Sequence, residues 1–152
     1  MKPPFSIDDS LGAIERCLNR LWREQEAPEW MNQLSFSEYD YLVTVMNLGA
    51  PRLSDIADAM SVTKASTSTM VKKLEQRGLL KKTPSEKDRR VSLIELTEKG
   101  SRFMAVNQKV YQQLGSLFQQ ALSPKDYDAL EQLLAKACGD LDLPARTISQ
   151  EN

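Results

Sequence analysis

The sequence predicts a mainly α fold with one small β-hairpin placed after the fourth helix. Two observations point to it directly. Six stretches carry apolar residues at helical spacing, and only two short runs, Leu79–Thr83 and Val91–Leu96, read as strands, around the polar loop Pro84–Arg90. The third observation is the charge partition. Thr63 to Arg102 holds eleven Lys/Arg against five Asp/Glu, while the remaining residues hold nine against sixteen. A formal net charge of −1 therefore hides a basic middle between acidic flanks. A concentrated basic segment is the electrostatic footprint of a surface that meets a polyanion.

The first helix starts near Ser6, with Asp9 completing a capping box. Ile7, Leu11, Ile14, Leu18 and Leu21 then recur at 4-3-4-3 spacing and form a narrow stripe suited to packing on other helices. The helix is expected to end near Pro28, which cannot continue the hydrogen-bond ladder. Ser35-Phe36-Ser37-Glu38 repeats the capping box and opens a second helix through Tyr39, Leu42, Val43 and Met46 to Gly49. Beyond Pro51, Leu53–Met60 forms a short third helix with Ile56, Ala57 and Met60 inward, and Ser61-Val62-Thr63 turns tightly into a fourth helix, Lys64–Arg77. Gly78 lies where a left-handed residue ends that helix. After the hairpin, Thr97 caps a long helix reaching about Leu122, with Phe103, Val110, Leu114, Leu117 and Phe118 along one side. Ser123-Pro124 is a cap followed by a first-turn proline, and the last helix shows Tyr127, Leu130, Leu134, Ala137 and Leu141. The tail from Pro144 is polar and expected to fray.

A chain of 152 residues fits one domain, here 1–152, with a compact middle over 35–97 and amphipathic arms over 6–30 and 98–142. Arms with apolar stripes suggest a homodimer formed across a two-fold axis. On the fourth helix, Thr67, Met70, Val71, Leu74 and Gly78 fall on the core side. The opposite face carries Ala65, Ser68, Thr69, Lys72 and Gln76, with Ser66 and Lys73 at its edge. Small hydroxyls near a helix start approach base edges in a major groove closely, and the positive end of the helix, at Thr63 and Lys64, favours a phosphate. Lys72 and Lys73 are placed for the nucleic-acid backbone. A solvated helix decorated with Ser and Thr would look much the same, so the hairpin decides. Lys81, Lys82, Lys87, Arg89 and Arg90 concentrate positive charge there, and arginine suits the electronegative minor groove. Asp88 would be repelled by phosphate and serves better to orient an arginine through a charge-assisted hydrogen bond. These features describe a winged helix-turn-helix that binds double-stranded DNA.

The run from Asp88 to Gly100, DRRVSLIELTEKG, resembles the wing signature of the MarR (multiple antibiotic resistance regulator) family: a D-x-R tip, a strand and LTxKG. Leu34–Tyr39, Leu53–Ala57 and Leu74–Leu79 are similar to that family's second helix, helix-turn-helix and approach to the wing, and Met60-Ser61-Val62 departs from it where a glycine is common. The resemblance spans about residues 6–141 in element order. It implies an obligate homodimer with interlocked terminal helices, docking on a pseudo-palindromic operator, usually as a repressor. It also implies that Arg90 is the minor-groove arginine with Asp88 supporting it, and that a small phenolic or aromatic acid, or an oxidant, releases DNA. In such proteins the effector pocket lies between the arms and the winged helix, where Trp22, Trp30, Phe36 and Tyr39 are candidate lining residues, although aromatics at helical spacing also serve as core. Cys17, with Arg16 and Arg20 nearby, is the candidate for a redox-sensing variant, since some members carry a reactive cysteine in the first helix. Otherwise Cys17 and Cys138 read as two reduced, packed thiols.

Other classes recede. Histidine is absent, which removes the usual general base and the commonest zinc ligand, and no GxGxxG, GxxxxGK or GxSxG pattern occurs. No catalysis, metal or cofactor is implied. The start MKPPFSIDDS lacks the apolar core of a signal peptide, and no apolar run is long enough to span a membrane, so a cytoplasmic location is expected. The competing reading is a protein-interaction module whose basic hairpin docks an acidic partner.

Overall fold

Hydroxyl side chains start five of the six helices. In the computed structural model, which describes residues 5–139 and 141, Ser6, Ser35, Thr63, Thr97 and Ser123 each accept the backbone N–H three residues on. The helices are α1 (Ile7–Arg23), α2 (Phe36–Leu48), α3 (Leu53–Met60), α4 (Lys64–Gln76), α5 (Glu98–Ala121) and α6 (Pro124–Cys138). Strands β1 (Leu80–Pro84) and β2 (Ser92–Leu96) lie between α4 and α5 as an antiparallel pair in which Leu80 faces Leu96 and Lys82 faces Ile94. The amide of Ile94 donates to the carbonyl of Pro51 at 2.8 Å, which ties the hairpin to the α2–α3 connection. Leu42, Ile56, Val71, Leu74, Leu79 and Ile94 form the most buried part of the core, where α2, α3, α4 and the hairpin meet. Phe103 and Met104 of α5 extend it toward α1.

Several details differ from the sequence expectation. Helix α1 stops at Arg23 rather than near Pro28, because its last turn tightens: Gln25 N–H bonds the carbonyl of Trp22, and the Gln25 side chain satisfies the carbonyl of Leu21 at 2.9 Å. A 3-10 helix, Glu29–Gln33, follows Pro28 and inserts Met31 into the core. On α3, Ala59 is buried along with Ile56 and Ala57, and Met60 packs partly buried against the same core. Gly78 is exposed, because it lies past the end of α4 at φ +71°. No residue of α6 is buried, and on α1 only Leu21 is. Ser61 adopts φ +54° at the α3–α4 turn, so a serine holds the left-handed position more cheaply filled by glycine. The expected frayed tail from Pro144, and residues 140 and 142 at the end of the second arm, lie outside the described residues. Among the described residues no helix is long and apolar enough to cross a membrane.

The C-terminal end of α4 is clasped by the first turn of α5. Thr97 Oγ1 donates to the carbonyl of Gly78 at 2.6 Å, and its N–H to the carbonyl of Leu79 at 3.0 Å. Lys99 Nζ donates to the carbonyl of Arg77 at 2.9 Å. These lysine and threonine side chains satisfy carbonyls that the end of a helix leaves open. Gly100 is required by the same clasp, since a Cβ there would lie 2.3 Å from the Leu79 carbonyl oxygen.

Glu38 holds α4 from the other side. Its side chain is 2% exposed; Oε2 accepts the Ser35 N–H at 2.8 Å and Oε1 the Arg77 Nη1 at 2.6 Å, with Lys73 Nζ at 3.4 Å. Burial alone would raise the Glu38 pKa; the Ser35 N–H, the Arg77 guanidinium and the Ser35 hydroxyl outweigh it and hold the pKa at about 2. A carboxylate depressed from its ordinary value of 4.5 contributes stability that is present above pH 4.5 and lost as the pH falls toward 2. That contribution is about 3 kcal/mol.

Urea denaturation should therefore show Glu38→Gln less stable than the parent at neutral pH by roughly 2–3 kcal/mol. The gap should close as the pH falls from 4.5 to about 2, and a gap independent of pH would contradict the assignment. Gly100→Ala should cost about 2 kcal/mol or more in the same assay, because a backbone carbonyl must move to admit the methyl group.

Candidate nucleic-acid interface and ligand cavity

The exposed face of α4 carries the groups expected for reading DNA, but they are not all free. Thr63 Oγ1 accepts the Ser66 N–H at 3.1 Å and donates to Ser66 Oγ at 2.9 Å, so both hydroxyls take part in the cap. Thr67 is buried and donates to the carbonyl of Thr63, while Thr69 donates to that of Ala65 at 3.1 Å. Lys64, Ser68 and Lys72 are exposed, and their side chains make no hydrogen bond or ion pair among the described residues. Lys73, expected to reach the nucleic-acid backbone, is half exposed and sits against Glu38. Its charge is shared with the α2–α4 link.

The hairpin tip is closed by its own backbone. Ser85 N–H bonds the carbonyl of Val91 at 2.8 Å, and Val91 N–H bonds that of Asp88 at 2.9 Å. Asp88 Oδ1 accepts both the backbone N–H of Arg90 at 3.0 Å and its Nε at 3.4 Å. The Arg90 side chain is nonetheless 93% exposed, so the carboxylate orients the guanidinium while leaving it in solvent. Lys87 and Arg89 are exposed at the same tip and form no ion pair among the described residues. Farther down, Lys81 faces Glu95 across the strands, and Lys82 Nζ lies 3.8 Å from Glu75 of α4.

A second site lies between the arms and the start of α2. A cavity of about 430 Å³ is lined by Glu15, Leu18, Asn19 and Trp22 of α1, Met31 and Asn32 of the 3-10 helix, Leu34 to Phe36 and Tyr39, and Phe103, Asn107, Val110 and Tyr111 of α5. Three of the four aromatics singled out from the sequence, Trp22, Phe36 and Tyr39, are on its wall. Trp30 is not; it packs beside Phe103 at 6.2 Å between ring centroids, with Lys99 Nζ 4.4 Å from its own ring centre. Phe103 is the hub, meeting Trp22 edge-on at 5.8 Å and Tyr39 at 6.2 Å. Trp22 Nε1 donates to Asn32 Oδ1 at 2.6 Å, and Asn107 Nδ2 donates to Tyr39 Oη at 2.9 Å. Burial, then the neighbouring Tyr111 phenol, raises the Tyr39 pKa. The α5 wall was missed in the sequence, although Phe103, Asn107 and Tyr111 recur at intervals of four, the spacing of a single helix face.

Cys17 is partly buried outside this wall, with Arg20 Nη2 3.6 Å from its Sγ, and Cys138 is exposed. Among the described residues, no three His, Cys, Asp or Glu side chains gather as a metal site.

Residues 34–92, from the start of α2 to the hairpin, match the model of the MarR family. The transcriptional regulator YfiV of Bacillus subtilis is 30% identical over 107 residues, covering 69% of this chain and 66% of that protein. The aligned stretch spans 55% to 66% of the first two curated relatives. A MarR-like transcriptional regulator from Thermotoga maritima superposes with a TM-score of 0.71 at 20% identity, over 90% of this chain and 97% of that one. FabT of Streptococcus pneumoniae, crystallised in complex with DNA, superposes with a TM-score of 0.67 at 20% identity, over 90% and 95% of the two chains. The helical arrangement with its short hairpin is thus a shared fold, and by sequence the chain belongs to the MarR family.

Proposed function

We propose that this chain is a sequence-specific, double-stranded DNA-binding transcriptional regulator that acts as a homodimeric repressor and is released by a small aromatic ligand. The observation that carries the reading is the wing tip: an arginine oriented by Asp88 yet fully presented to solvent, in the same basic segment as the exposed Lys64, Ser68 and Lys72 of α4. Such a pairing suits α4 to a major groove and Arg90 to the adjoining minor groove. The likeness of the fold to FabT, which was solved with DNA, supports the same mode. The two arms supply the dimer: Ile7 and Leu11 of α1 and Leu133 and Leu134 of α6 are exposed, large and apolar, which fits helices that pack on a second copy. The cavity supplies the control. Its wall joins α1 and α5 of the arms to the start of α2, so a guest that fits better when the two reading helices are wrongly spaced shifts the population away from DNA.

Fluorescence anisotropy with duplexes selected from a random pool, repeated across salt concentrations, checks the DNA reading. Arg90→Ala should weaken binding about tenfold or more. Lys72→Ala should weaken binding to all sequences and lower the salt slope by about one unit. Absence of binding to any duplex in dilute salt would refute the reading. Sedimentation should give twice the chain mass, and Leu11→Asp combined with Leu134→Asp should give single chains that bind DNA weakly. A parent protein that sediments as single chains would remove the homodimer.

A further inference from the structure

The cavity has a charge preference. Glu15 is the one charged residue on its wall, and its carboxylate makes no ion pair or hydrogen bond among the described residues. Around it stand five aromatic rings, whose faces attract cations. Lys99, on the first turn of α5, is turned away to the carbonyl of Arg77 and the ring of Trp30, which lies off the wall. The Trp22 N–H is committed to Asn32 and an Asn107 N–H to Tyr39, so the donors left on the wall are neutral hydroxyls and amides. A guest carboxylate would therefore meet an unpaired negative charge and no lysine or arginine.

We propose that the guest is a positively charged aromatic compound, an amine or quaternary ammonium attached to one or more rings, with Glu15 as its counter-charge and Trp22, Tyr39 and Tyr111 as its stacking partners. This rests on the reading of the cavity as the effector site and replaces a phenolic or aromatic acid with its electrostatic opposite. The volume admits two fused rings with a short polar arm, and the exposed ring of Phe36 at the edge gives such a guest more apolar surface to cover.

Isothermal titration calorimetry of the full chain at neutral pH with three compounds sharing one ring system tests the assignment: 1-naphthylmethylamine (cationic), 1-naphthalenemethanol (neutral) and 1-naphthoate (anionic). The amine should bind about five- to tenfold more tightly than the alcohol, and the naphthoate most weakly. Glu15→Gln should bring the amine to the level of the alcohol without weakening the alcohol; Glu15 is exposed, so the fold does not depend on it. If naphthoate binds as well as the amine, or if Glu15→Gln leaves their gap unchanged, the charge assignment is overturned while the cavity stands as an effector site. If none of the three binds, both readings fall.

Discussion

The polar contacts that hold α4 to its neighbours converge on its last turn. Arg77 is held twice: its guanidinium by the buried carboxylate of Glu38 and its carbonyl by Lys99. One residue on, the carbonyl of Gly78 takes the Thr97 hydroxyl, and the Leu79 carbonyl occupies the space that Gly100 leaves open. A helix end normally leaves carbonyls exposed to water. Here they serve as the attachment points for both the wing and the long arm. The run Leu96-Thr97-Glu98-Lys99-Gly100 is therefore accounted for by hydrogen bonding and by room for one oxygen atom.

The same end of α4 lies one short step from the cavity. Ser35, Phe36 and Tyr39 are on the cavity wall, and Glu38, in the same turn of α2, reaches Arg77. The start of α2 is thus joined to α4 through one buried carboxylate, which meets both Arg77 and the more exposed Lys73. The carboxylate tolerates little loss of that geometry, because it is the buried partner and has no water to fall back on.

Much of this was legible in the sequence, because local rules decided it. Ser6, Ser35, Thr63, Thr97 and Ser123 mark helix starts through side-chain chemistry that needs no distant partner, and the bounds of α4 and the hairpin follow from Gly78 and the polar loop. What escaped depended on contacts distant in sequence or on stretches too short for periodicity. The 3-10 helix has five residues, and its anchor is Met31 entering the core. Glu38 appeared only as a capping residue, since Arg77 lies 39 positions away and nothing local reveals that pair. The cavity was half legible: the aromatics of α1 and α2 stood out by type, whereas Phe103, Asn107 and Tyr111 of α5 become a wall only once α5 crosses α1. The apolar residues of α6 lie on no core of this chain, because a stripe states that a face is apolar and not which molecule covers it.

The hydroxyls of α4 also carry a lesson about counting candidates. Of those facing outward, Thr63 and Ser66 complete a cap and Thr69 bonds back to the preceding turn, so Ser68 has the least to give up on meeting any partner. An exposed polar side chain and an available one are different things.

The tether between Asp88 and Arg90 bears on entropy. A free arginine at a loop tip samples many rotamers, and freezing them on contact costs up to about 2 kcal/mol. The carboxylate two residues earlier narrows that sampling in the free chain, so less disorder remains to be lost on any contact the guanidinium makes. The aspartate, though repelled by phosphate, thereby helps to make the fingertip beside it ready for use.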